Sequence, residues 1–132
     1  MIGIGNAARG DDAAGLLAAR RLGGVEVEGD ATAVIDLLAG AREAVLIDAV
    51  RSGAAAGTVH RVDIGTLPAG LPRPASTHLI GLAEALELAR ALGRLPPRVT
   101  VYGIEGARFA VGDAVSPAVA AAVDRVVAEL SG

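Results

Sequence analysis

Met1-Ile-Gly-Ile-Gly-Asn-Ala-Ala-Arg-Gly-Asp-Asp-Ala-Ala-Gly15 runs from a short apolar stretch, through a glycine-rich loop and two adjacent carboxylates, into an alanine/leucine helix. Gly3 and Gly5 allow a close approach of backbone or ligand where a Cβ would collide. Asp11 and Asp12 fall where a helix N-terminus is expected, and a carboxylate there can cap free N–H groups. Capping needs only one of them. Two sharper readings compete for the other. Gly3-x-Gly5-x-x-Ala8 fits the loose dinucleotide fingerprint, with Glu26, Glu28 or Asp30 placed for a ribose. Alternatively, a carboxylate at the end of the first strand serves a metal or catalysis. Charge favours the second, because a pyrophosphate at the helix start would be repelled by Asp11 and Asp12.

Outward from this stretch, the chain alternates strand and helix patterns. Met1–Ile4 reads as a short buried strand, with only Met1 and Ile2 ahead of Gly3. Asp12–Leu22 reads as a helix ended by Gly23-Gly24. Val25–Glu28 alternates apolar and acidic, and Thr32–Leu38 is a short helix before Gly40. Ala44-Val-Leu-Ile-Asp-Ala-Val50 is apolar but for one carboxylate, as in a central parallel strand buried on both faces. Thr58–Ile64 alternates like an edge strand. Its link from Val50 is too short for a helical crossover, so it is expected antiparallel to its predecessor.

Residues 65–76 hold three prolines, Pro68, Pro72 and Pro74, and read as a surface loop. Ser76-Thr77 is placed to cap a helix over Thr77–Leu92, which Gly93 closes. Arg98–Ile104 is another strand and 106–115 is irregular. Ser116-Pro117 has the favoured order for starting a helix that reaches about Leu130. The order β-α-β-α-β-β-α-β-α predicts one three-layer α/β/α domain over 1–132, with a mostly parallel, twisted five-stranded sheet and one antiparallel strand.

Composition narrows the function classes. The 132 residues are 52% hydrophobic but only 2% aromatic, so the core is aliphatic. A net charge of -3 without a basic run argues against nucleic-acid binding. With no cysteine, thiol catalysis, disulfides and thiolate metal sites are excluded, which suits a cytoplasmic protein. No apolar run reaches the ~18 residues of a membrane span.

Ligands of such sheets bind beyond the carboxyl ends of the strands. Three polar residues belong there: Asp12 after the first strand, Asp48 in the central strand, and His78 at the start of the long helix. An unpartnered Asp48 in an apolar strand would be costly, so a metal, an arginine or helix N–H groups must compensate. The bland alternatives are a strand-end salt bridge for Asp48 and a backbone-bonded histidine for His78. His60, in the alternating edge strand, reads as solvent-facing. Two carboxylates and an imidazole suit Zn, Ni, Mn or Fe(II) and leave positions open for water or substrate. A serine mechanism fits less well: no Gly-x-Ser-x-Gly elbow is present, and nothing marks Ser52 or Ser76 as a nucleophile.

Gly3-Ile-Gly5-Asn6 with Gly10-Asp11-Asp12 and Gly15, Leu46-Ile-Asp48-Ala49, Ser76-Thr-His78 with Gly81-Leu82-x-Glu84-Ala-Leu86, Tyr102-Gly-Ile-Glu105, and Val115-Ser116-Pro117 together resemble the [NiFe]-hydrogenase maturation endopeptidases. The motifs stand in family order and cover nearly the whole chain. The resemblance implies an endopeptidase that removes the C-terminal peptide of a hydrogenase large-subunit precursor once nickel has been inserted. It places the family's metal-contacting residues on Asp12, Asp48 and His78, with Asp12 and Asp48 as the catalytic carboxylates. The nickel is carried by the substrate, the partner is the large-subunit precursor, and a cytoplasmic monomer is implied. One departure is Gly29-Asp30-Ala31-Thr32, where family members often carry Asp-Gly-Gly-Thr, a segment linked to substrate choice. The competing expectations are a nucleotide-binding domain built on Gly3-x-Gly5 and a relative that binds the large subunit without cutting it.

Overall fold

A computed structural model describes residues 1–64 and 82–132. The proposed 65–76 loop, the start of the long helix and His78 lie outside the described residues. Strands β1 (Ile2–Gly5), β2 (Val25–Glu28), β3 (Glu43–Val50), β4 (Val59–Asp63) and β5 (Arg98–Glu105) form one sheet in the order β2-β1-β3-β5-β4. Helices α1 (Ala14–Leu22) and α4 (Pro117–Ser131) cover one face, and α2 (Ala33–Leu38) and α3 (Leu82–Ala91) cover the other. The expected three-layer, mostly parallel sheet with one antiparallel strand is what forms. No helix among the described residues is long and apolar enough to cross a membrane.

Each layer follows from side-chain periodicity. Along β3, Leu46 joins the core beneath α2 and α3, while Ile47 and Ala49 join the core beneath α1 and α4. β5 divides in the same way, Val99 and Val101 to one side and Tyr102 and Ile104 to the other. A strand buried on both faces must be apolar throughout, which is why these segments are continuous aliphatic runs.

β1 is short, yet it is held on both sides. It pairs with β2 from Ile2↔Val25 to Gly5↔Glu28, and with β3 at Ile2↔Leu46 and Gly3↔Ile47. Glycines bring α1 down onto this junction. A Cβ at Gly15 would lie 2.2 Å from the Ile47 carbonyl oxygen, and one at Gly3 would lie 2.1 Å from that of Gly15.

β4 runs antiparallel to the other strands, as its short connection requires. Its hydrogen-bonded neighbour, however, is β5, from Val59↔Ile104 to Asp63↔Thr100. β3 has no room beside it for β4. It is paired along its whole length with β5, from Glu43↔Arg98 to Val50↔Glu105. The chain therefore steps over the place that β5 later fills.

Candidate functional site

The strand order reverses between β1 and β3, because β2 is added on one side and β5 on the other. Their ladder ends at Gly3↔Ile47. Beyond that point the two strands are no longer paired, and the carboxyl ends of strands at such a switch point are the usual ligand position in open sheets. Asp48 is the next residue of β3, and Asp12 lies in a 3-10 turn, Gly10–Ala13, that follows the glycine loop. The two expected carboxylates thus lie at the carboxyl ends of adjacent strands, close enough for the charge of Asp12 to act on Asp48. Both are buried, at 3% exposure for Asp12 and 4% for Asp48.

Neither carboxylate is well satisfied. Asp48 Oδ1 accepts the Ala49 N–H at 2.8 Å. Burial, reinforced by the negative charge of Asp12, pushes the Asp48 carboxyl well above the usual carboxylate range. Asp12 Oδ1 has no hydrogen-bond partner among the described residues. Burial raises the Asp12 carboxyl too, opposed by the Arg9 and Arg51 guanidiniums. A buried polar atom without a partner costs free energy. Here one such atom, Asp12 Oδ1, belongs to a carboxylate whose charge acts on the buried Asp48, an arrangement that a cation or a proton would stabilise.

Asp11 behaves in the opposite way, and the capping expectation does not hold for it. No side chain caps the turn that carries it. Its carboxylate reaches across the fold instead. Oδ2 accepts the N–H groups of Ala107 (2.7 Å) and Arg108 (2.9 Å) and the Ser116 hydroxyl (2.7 Å), while Oδ1 accepts the Ser116 N–H (2.6 Å). Burial alone would raise this carboxyl, but four donors overcome it and hold the group below its ordinary value. Asp11 therefore ties the irregular segment after β5 to the glycine loop. Ser116 sits at the N-cap of α4 with Pro117 next, as expected, but its hydroxyl serves Asp11 rather than the helix.

The solvent-facing reading of His60 needs a similar correction. His60 is partly buried, and its Nε2 lies 3.1 Å from Glu105 Oε1. Glu105 is 1% exposed and also accepts the Ser52 N–H at 3.1 Å and the Ser52 hydroxyl. Burial opposes its ionisation, yet these donors hold its carboxyl below its ordinary value. Sequence reasoning gave Glu105 no role. Two signals were available: its place in the Tyr102-Gly-Ile-Glu105 motif, and a carboxylate closing an otherwise apolar strand. Asp48, Gly103 and His60 form one lateral row across β3, β5 and β4.

The loop glycines also bear on the dinucleotide reading. Cβ atoms at Gly3 and Gly5 would strike the Gly15 and Asp12 carbonyl oxygens, at 2.1 and 1.9 Å. The space these glycines leave is filled by the chain itself, which is not available to a phosphate. Among the described residues, no group of three histidine, cysteine or acidic side chains could hold a metal ion. The expected third ligand, His78, lies outside them.

The family model HycI, described as hydrogenase maturation protease, matches residues 29–132. The chain belongs to the hydrogenase maturation protease family. Solved structures of such proteases share its fold. The [NiFe] hydrogenase maturation protease HybD of Thermococcus kodakarensis is 26% identical, with a TM-score of 0.76 over 98% of this chain and 94% of that one. HycI of the same organism is 20% identical, with a TM-score of 0.76 over 98% of this chain and 87% of that one. The hydrogenase maturating endopeptidase HybD of E. coli is 22% identical, with a TM-score of 0.70 over 98% and 86%. Among curated proteins, none matches the chain in sequence. This maturation protease is therefore a peptide-bond hydrolase, with Asp12 after β1 and Asp48 in β3 at the switch point of its sheet.

Proposed function

We propose that this enzyme removes the C-terminal peptide of a [NiFe]-hydrogenase large-subunit precursor after nickel insertion, and that Asp12, Asp48 and His78 grip the nickel carried by that substrate. One observation carries the reading. Two buried carboxylates lie at the switch point with a single backbone hydrogen bond and an orphaned Oδ1 between them. Such an arrangement is costly to the fold until a cation or a proton completes it, and a substrate-borne cation would do so. Carboxylate and imidazole donors are suited to nickel.

In this reading the substrate's nickel docks against Asp12 and Asp48 and brings the scissile peptide to the switch point. Water adds to the carbonyl carbon, its proton passes to a carboxylate, and the carbon–nitrogen bond breaks as that proton moves to the departing amine. A carboxyl raised by burial is a better base than an ordinary one. Asp12 has the open oxygen for this step. Asp48, with Oδ1 held by the Ala49 N–H, is the more rigid of the two. The protein is taken to act as a cytoplasmic monomer of one domain.

The reading is tested by intact-mass analysis of a nickel-loaded precursor from the same organism, with nickel-free precursor as the control. Loss of a C-terminal peptide only from the loaded sample supports it. Normal processing by Asp12→Asn and His78→Ala variants would overturn the assigned roles.

A further inference from the structure

Phe109 is the chain's only phenylalanine and is 7% exposed, in the irregular segment after β5. That segment is locked to the glycine loop. Beyond the two N–H groups taken by the Asp11 carboxylate, the Asp11 N–H donates to the Arg108 carbonyl at 2.7 Å. Two arginines from different strand ends meet on Phe109. Arg9, in the loop after β1, donates Nε–H to the Phe109 carbonyl at 3.0 Å. Arg51, directly after β3, lies with Cζ 4.3 Å from the centre of the Phe109 ring. Asp12 is beside both: its N–H donates to the Arg9 carbonyl at 3.1 Å, and both guanidiniums favour its ionised form.

Neither guanidinium is an ion-pair partner of any carboxylate among the described residues. An arginine over an aromatic face is attracted by the ring's π electrons. That holds Arg51 on the ring while its N–H groups have no acceptor among the described residues. Among the described residues, Arg9 likewise commits only Nε. Two planar forks are thus held on one residue, Phe109, near a carboxylate with an unpartnered oxygen. Guanidinium geometry matches anionic oxygens.

We propose that Arg9 and Arg51 form a subsite for an anionic oxygen of the substrate. The inference rests on the peptidase reading. When water adds to the scissile carbonyl, the carbon–oxygen π pair moves onto oxygen, and the guanidinium N–H groups receive that charge. When the carbon–nitrogen bond breaks, the pair returns and the charge is lost. A donor of this kind works only in the transition state, so its removal lowers kcat. The same forks can hold a carboxylate of the substrate, in which case removal raises KM.

The test uses Arg51→Gln, Arg9→Gln and the corresponding Lys variants of the full chain, with nickel-loaded precursor as substrate. A kcat loss of about 10²–10³-fold assigns the subsite to the developing oxyanion. A tenfold or greater rise in KM at unchanged kcat, largely restored by lysine, assigns it to a substrate carboxylate. Wild-type kcat and KM in both Gln variants overturns the proposal and leaves the peptidase reading standing. A parallel measurement needs no activity: inorganic phosphate is titrated into metal-free protein while the arginine Nε–Hε resonances are followed by NMR. If the wild type does not cleave, so that the peptidase reading itself fails, this titration decides. Saturable shifts at Arg9 and Arg51 support the subsite, and their absence overturns it.

Discussion

Asp48→Asn is expected to stabilise the metal-free protein at pH 7 while abolishing cleavage. Asp48 is 4% exposed, and its carboxylate is compensated by the Ala49 N–H at 2.8 Å. It also faces the negative charge of Asp12. Asparagine keeps Oδ1 for that N–H and presents an amide to Asp12 Oδ1, which lacks a partner. Relief of an under-satisfied buried polar group contributes about 1–3 kcal/mol. Like charges about 4 Å apart at an effective dielectric of ~20 repel by roughly 4 kcal/mol, which sets the ceiling. For a domain of this size, 1–3 kcal/mol corresponds to a rise in Tm of roughly 3–12 °C.

The sign with pH is fixed by the direction of the shift. A carboxyl raised in the folded state binds a proton there before it does in the unfolded chain, so wild-type stability recovers as pH falls through the raised value. The advantage of Asp48→Asn is therefore largest at and above neutrality and fades as pH approaches the ordinary carboxyl value, 3.8. Chelator-treated wild type and variant would be compared by urea unfolding at pH 7.5 and pH 4.5. A variant less stable than wild type at pH 7.5, or an advantage equal at both values, would refute the argument.

Asp11→Asn should destabilise the fold by about 2–4 kcal/mol in urea titration, because an amide replaces an acceptor facing four donors. Since Asp11 and Glu105 are both held below their ordinary values, the stability they contribute is present above those values and is lost as pH falls further, through their folded-state values. Acid unfolding monitored by circular dichroism should show this loss, and Asp11→Asn should remove part of it. Gly15→Ala would gain about 1 kcal/mol of helix propensity, but a Cβ 2.2 Å from the Ile47 oxygen must displace α1 from β3. Net destabilisation above about 2 kcal/mol is expected, and a neutral result would mean that the helix can shift freely. Glu105→Leu should loosen the Ser52–His60 region through loss of three donors' acceptor, read as faster amide exchange at Ser52 while α4 stays protected.

Local patterning made most of the fold legible. Apolar runs buried on two faces marked β3 and β5, glycine spacing marked the β1–α1 junction, and Gly23, which adopts φ 71, ended α1 as its position suggested. The candidate carboxylates were also legible, because a charge inside or just beyond a buried parallel strand demands a reason. The neighbour of β4 was not legible. A short link favours a hairpin with β3, and nothing local reveals that β5, arriving some 40 residues later, pairs along all of β3.

By itself, the order of elements determined a three-layer sheet, the reversal of strand direction at β4, and carboxylates at the carboxyl ends of β1 and β3. The sequence already favoured Asp12 for the site, and tertiary structure decided what the adjacent Asp11 does instead of capping the helix. Asp11 turns to four donors brought from residues 107–116, while Asp12 keeps Oδ1 unpartnered among the described residues. The joining of His60 and Ser52 through Glu105 was decided in the same way. A local pattern states which face a side chain takes, but a buried charge is held in place by donors from distant segments, and only the packed fold brings those to it.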